Sequence, residues 1–142
     1  MIVPDLNCLV HAYNKQSQWN AKAEAWLTTC MEDTQPFILL PVVLFGFVRI
    51  TTNPRVFEAP FSIDEIRPIV AEWLARPQVR LVETDPGDIQ KALDLLKIAG
   101  TAGNLTTDAQ IASVALRLDA EVHTTDMDFQ RFPGLRWKNP MQ

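Results

Sequence analysis

Apolar positions along this chain change period repeatedly, and each change marks an element. Met1-Ile2-Val3-Pro4 is a short apolar run of strand type, and Leu6 to Tyr13 reads as a short helix. From Ser17 to Met31, Trp19, Ala23, Trp26, Leu27 and Cys30 recur at helical spacing. Phe37-Ile38-Leu39-Leu40 has the length of a buried strand, and Pro41 suits the first position of a helix running to Thr51, before Asn53-Pro54. Ser62-Ile63-Asp64-Glu65 has the capping-box pattern and opens a helix towards Leu74, with Pro68 expected to kink or delay it. Val79 to Val82 is a short strand. Asp85-Pro86 then provides a cap and an N1 proline for a helix ending near Gly100. Thr107-Asp108-Ala109-Gln110 reads as a second capping box, starting a helix to about Leu118, and Glu121 to Thr125 is the last strand-like run. Alternating strands and helices predict an α/β fold, a parallel sheet covered by helices.

Composition narrows the class. The 142 residues form a single domain, 1–142, with no repeat, low-complexity tract or linker. At 47% hydrophobic and 21% charged residues, the chain can bury an ordinary core. A net charge of -4 excludes a polycation that coats nucleic acid by bulk charge, though not a local basic groove. Cys8 and Cys30 lie among apolar neighbours without metal-type spacing and read as free buried thiols of a reducing cytoplasm. The N-terminus lacks the pattern of a signal peptide, and no apolar stretch reaches the length of a membrane span.

The chemistry concentrates in four aspartates. Asp5 closes the first strand-like run, Asp126 and Asp128 follow the last, and Asp108 sits in the first turn of the intervening helix. Ligands of open α/β sheets bind at the carboxyl ends of parallel strands. Carboxylates gathered there repel one another unless a cation lies between them, and hard oxygen donors suit Mg²⁺ or Mn²⁺. Each acid also has a purely structural explanation: Asp5, Asp126 and Asp128 as caps, and Asp108 as a residue favoured by the helix dipole. Their shared location favours a metal site for phosphate chemistry. Asn7 stands where a haloacid-dehalogenase-type phosphatase needs a second aspartate, and the acidic pair of a receiver domain is missing. His11 and His123 are isolated, which argues against a zinc hydrolase and for structural histidines. Trp19, Trp26 and Trp73 read as core residues.

Four segments, in order, carry a family resemblance: Met1 to Asn7, Gly46 to Arg55, Gly103 to Ala109, and Thr125 to Leu135. Together they resemble the PIN domain, and within it the VapC-type toxin ribonucleases of bacterial toxin–antitoxin pairs. The resemblance implies a three-layer α/β/α sandwich with a central parallel sheet. It implies a Mg²⁺-dependent endoribonuclease (Mn²⁺ being possible) that forms a homodimer and is inhibited by a VapB-type antitoxin. Asp5 and Asp108 match the most dependable metal-binding aspartates of the family, and Asp126 and Asp128 match its late acidic motif. Asn7 and Thr125 are candidates to orient those ligands, and Arg49 to contact phosphate. One departure stands out. Many PIN domains carry a glutamate on the helix after the second strand, and the frame set by Arg49 puts Gly46 there. Residue 46 is thus expected to face the acidic pocket, where a glutamate would add an oxygen ligand. Two other functions stay open at this stage. One is a structure-specific DNA nuclease of the related flap-nuclease type, and the other is a catalytically weak, antitoxin-binding PIN fold.

Overall fold

The computed structural model describes residues 1–142. Its elements run β1 (Ile2–Pro4), α1 (Leu6–Tyr13), α2 (Asn20–Glu32), β2 (Phe37–Leu39), α3 (Pro41–Thr51), α4 (Ile63–Ala75), β3 (Val79–Leu81), α5 (Pro86–Ala99), α6 (Thr106–Leu118), β4 (Glu121–His123) and β5 (Arg136–Lys138). The five strands form one sheet in the order β3-β2-β1-β4-β5, and all neighbours are parallel. β1 and β2 are buried at every position, as expected for central parallel strands covered on both faces.

Connectivity creates the site. From β1 the chain crosses to β2 and then to β3; from β3 it returns past both to β4. Right-handed crossovers in opposite directions place α1–α4 on one face of the sheet and α5–α6 on the other. Packing agrees: α1 lies against α2 and α3, α3 touches α4, and α5 lies along α6. The chain therefore diverges to opposite faces at the carboxyl ends of β1 and β4. Such a switch point leaves a crevice where α/β proteins bind ligands.

Local signals account for most boundaries. Ser62 and Glu65 form the reciprocal capping box of α4, and the helix continues through Pro68 to Ala75. Asp85 caps α5 in a box closed by Asp88, and Gly100 ends that helix at φ 79°, a conformation that favours glycine. Two expectations need correction. The box expected at Thr107 is absent, because a 3₁₀ turn over Gly103–Leu105 runs directly into α6. Thr107 is thereby inside the helix, and Asp108 is its third residue. α2 begins at Asn20 rather than near Ser17, because the Ser17 hydroxyl accepts the Trp19 N–H (3.0 Å) in a local turn. β5 had no counterpart among the expected strands.

Candidate metal centre

The site is built on the seam between β1 and β4. Their register pairs Pro4 with His123, and the ladder extends one step further through the Asp5 N–H, which donates to the His123 carbonyl at 2.8 Å. That step sets Asp5 beside Thr124. Asp5 is buried, and each of its carboxylate oxygens accepts one hydrogen bond. Oδ1 accepts from the Leu6 N–H at the start of α1 (2.7 Å), and Oδ2 accepts from the Thr124 hydroxyl (2.8 Å). The Thr124 oxygen in turn accepts from the Asp126 N–H at 2.9 Å and from Asn7 Nδ2 at 3.5 Å. One hydroxyl thus uses its single donor and both lone pairs to join the two strand ends.

Beyond Thr124 the chain winds a 3₁₀ turn over Met127–Arg131. Asp126 caps it by accepting the Asp128 N–H at 2.8 Å. From the opposite side Asp108 projects out of the first turn of α6. Asp108, Asp126 and Asp128 converge, with one carboxylate oxygen from each lying within 4.8 Å of the others. Asp5 stands outside this trio as its buried neighbour. None of the four acids has an ion-pair partner.

The electrostatic result is visible in the carboxyl groups. Burial pushes Asp108 up to about 7, and the charges of Asp5, Asp126 and Asp128 push the same way. Burial raises Asp5 to about 6 against the pull of its bonds from Thr124 and Leu6, and the Asp126 charge adds to the rise. Partly exposed carboxylates that repel one another, with no protein cation between them, are the donor set of a hard divalent ion. The three converging residues can hold such an ion.

Several assignments change. Thr124, not Thr125, carries the orienting hydroxyl. Thr125 contributes only its N–H, which donates to Asn7 Oδ1 at 3.3 Å. The signal that locates Thr124 is the β1–β4 register, which no local pattern reveals. Gly46 is buried, and the direction a side chain would take there is filled by Leu6. A Cβ at 46 would lie 2.9 Å from Leu6 Cδ2. A side chain at 46 would thus run along Leu6, the residue after Asp5, and the end of the Leu6 side chain has to shift to admit it. Arg49 is exposed and pairs with no carboxylate.

The histidines are structural, as expected. His11 Nδ1 pairs with the Ser17 hydroxyl at 2.8 Å. His123 Nδ1 accepts from Trp26 Nε1 at 2.9 Å, which leaves its Nε2–H to meet Glu121 Oε1 at 3.0 Å; burial holds this imidazole below its ordinary pKa. Cys8 and Cys30 are free and buried. The Cys8 thiol donates to the His123 carbonyl at 3.4 Å.

A switch-point crevice lined by aspartates on this sheet order is the arrangement of a PIN nuclease fold. The PIN domain family model matches residues 2–135, and the chain belongs to that family. It is 39% identical over 142 residues to Ribonuclease VapC33 of Mycobacterium tuberculosis, an alignment covering 100% of this chain and 99% of that protein. Among solved structures, VapBC2 of Rickettsia felis, bound to a DNA fragment from its promoter, superposes with a TM-score of 0.68 at 19% identity, covering 98% of each chain. VapC20 of Mycobacterium tuberculosis, described as a sarcin–ricin-loop-cleaving toxin, superposes with a TM-score of 0.67 at 16% identity, covering 96% of this chain and 99% of the other. At these identities the two structures speak to the fold.

Proposed function

We propose that this protein is a Mg²⁺-dependent endoribonuclease, with Mn²⁺ as an alternative ion. It acts as the toxin of a type II toxin–antitoxin pair in the bacterial cytoplasm. The observation that carries this reading is the convergence of Asp108, Asp126 and Asp128 within 4.8 Å at the β1–β4 switch point. Full-length similarity to a named ribonuclease supports it, and the VapBC likeness supports a VapB-type antitoxin as partner. A homodimer is the expected assembly. No helix is long and apolar enough to cross a membrane.

Asp108, Asp126 and Asp128 would hold the ion, with Asp5 completing the set. When bound, such an ion activates water and offsets charge on phosphodiester oxygens during in-line displacement. The protein's own part is to keep four negative groups in place without neutralising them. Thr124 and the Leu6 N–H fix the Asp5 carboxylate while leaving each oxygen a free lone pair. The Asp128 N–H fixes Asp126 in the same way.

The test is cleavage of single-stranded RNA and of matching DNA by purified wild type and Asp5→Asn, with Mg²⁺, Mn²⁺ or EDTA. Wild type is expected to cut RNA only with a divalent ion. Asp5→Asn keeps the side chain's size and loses its charge, so it is expected to fold normally and to show no cleavage. Preferential cutting of DNA would replace this reading with the flap-nuclease one. Wild-type cleavage rates in the variant, with contaminating ribonuclease excluded, would remove Asp5 from the site.

A further inference from the structure

We infer that Arg131 binds a backbone phosphate of the RNA next to the scissile one, an inference that rests on the ribonuclease reading above. A chain of net charge -4 whose site holds four unpaired carboxylates repels a polyanion, so productive binding needs a nearby cation. Five of its 13 lysines and arginines are already committed. Lys15 pairs with Glu24, Arg76 with Glu72, Arg117 with Asp85 and Asp88, Arg136 with Asp119, and Lys138 with Glu121. Other cations, Arg49 among them, are also free of carboxylates, but Arg131 is set apart by its place on the acidic turn. It ends the 3₁₀ turn that bears the late aspartates, three residues after Asp128. Side chains at i and i+3 eclipse in a 3₁₀ helix, so Arg131 stands on the same side of the turn as Asp128.

Its second anchor lies on the approach to Asp108. Arg131 Nη2 donates to the carbonyl of Ala99, the last residue of α5, at 2.9 Å. From there the chain passes through the Gly103–Leu105 turn into α6 and Asp108. The guanidinium therefore ties the turn that carries Asp128 to the end of α5, upstream of the α6 helix that carries Asp108. It is exposed and makes no ion pair with any carboxylate. One hydrogen bond occupies one of five N–H donors, and the rest of the planar fork is free to meet phosphate oxygens. The competing explanation is a tether alone, a cation placed at a helix C-terminus where the dipole favours it.

Cleavage kinetics of a mixed-sequence single-stranded RNA across a KCl series, together with Mn²⁺ calorimetry, separate the two. Arg131→Gln loses the charge and, being shorter, the Nη2 bond to the Ala99 carbonyl as well, so the kcat and Mn²⁺ readouts report any loss of the tether. The variant's KM is expected to rise about tenfold, the scale of a charge-assisted contact, with kcat and Mn²⁺ affinity unchanged. The slope of log affinity against log salt should fall by about 0.7, one phosphate contact on a single strand. Arg131→Lys should restore that slope. Unchanged KM and slope in Arg131→Gln would overturn the inference. So would a joint loss of kcat and Mn²⁺ affinity, which would make Arg131 a tether of the acidic turn. Wild type that cuts no RNA would remove the ribonuclease reading, and this inference with it.

Discussion

Two acidic clusters in this molecule use the same residue type to opposite ends. At the α5–α6 contact, Asp88 is buried, and Arg117 Nε reaches its two oxygens at 2.8 and 3.1 Å and Asp85 Oδ2 at 3.3 Å. The Arg117 Nη2 also donates to the Glu83 carbonyl at 3.2 Å. Burial alone would push the Asp88 carboxyl up, yet the Arg117 hydrogen bond and charge, together with the Asp85 N–H, hold it below the ordinary value. At the carboxyl ends of β1 and β4 the acids have no such partner, and Asp5 and Asp108 rise to about 6 and about 7. The first cluster is complete in the folded chain and stabilises it. The second is left with excess negative charge, which strains the fold and prepares it for an outside cation. What separates the structural acids from the proposed metal ligands is the counter-charge supplied by the fold.

The comparison is sharpened most by Thr124, the hydroxyl that holds the second cluster together. Thr124→Val conserves shape but removes the donor to Asp5 Oδ2 and the acceptor for the Asp126 N–H. Partners that orient metal ligands are typically worth about 10–100-fold in affinity. We expect a Mn²⁺ loss of that size by calorimetry, with Thr124→Ser close to wild type because it keeps the hydroxyl. Equal affinities for the serine and valine variants would show that the hydroxyl does not set the ligand geometry.

Arg117→Ala tests the other side. It leaves Asp88 buried beside Asp85 without its cation, and a lost charge-assisted hydrogen bond costs about 2 kcal/mol. Arg117 is itself 37% exposed, so water recovers part of the loss and the cost stays below that of a fully buried pair. Urea unfolding should show this loss above about pH 5. The gap from wild type should narrow in acid, because stability from a carboxyl held low is lost as pH falls through its folded pKa. Mn²⁺ affinity should not change. A drop in metal affinity matching the loss of stability would mean that the two clusters are one coupled system.

How much of this was legible in the sequence depended on whether the cause was local. The bounds of α1 and α3 follow from apolar spacing and from Pro41, and the α4 and α5 caps from Ser62, Glu65 and Asp85. The four aspartates were legible because they sit just past strand ends or in a helix's first turn. β5 was not, since Arg136-Trp137-Lys138 offers one apolar residue between two charges and is a strand only because β4 lies beside it. Thr124 was hidden for a similar reason. Its role depends on a register between residues 119 positions apart. The aim of residue 46 was hidden because it depends on how α3 crosses α1. With Leu6 Cδ2 2.9 Å from a Cβ there, Gly46→Glu adds the expected ligand only if the end of the Leu6 side chain moves aside.

The smallest effect is the most specific to the comparison, because it has the opposite sign to ordinary mutational damage. Asp108 carries a carboxyl raised to about 7, so ionising it in the folded, metal-free protein is unfavourable relative to the unfolded chain. Between the unfolded value near 3.8 and about 7 the folded state binds more protons, so stability rises as pH falls through that window. Asp108→Asn removes the charge while keeping the size and a polar head, and should stabilise the metal-free protein at neutral pH. The opposing effect is loss of a carboxylate at a helix N-terminus, worth about 0.3–1 kcal/mol. That contribution is smaller than the rise to about 7 caused by burial and the neighbouring charges, which prevail. Discounted for solvent at a half-buried site, the gain is about 1 kcal/mol, or roughly 3 °C in Tm. In EDTA, wild type should melt higher at about pH 5 than at about pH 8, and Asp108→Asn should show a weaker dependence. Divalent cation should raise the wild-type Tm at the higher pH and leave the variant nearly unchanged. A variant less stable than wild type in EDTA at neutral pH would mean that Asp108 contributes to the fold as Asp88 does, and the contrast between the clusters would fail.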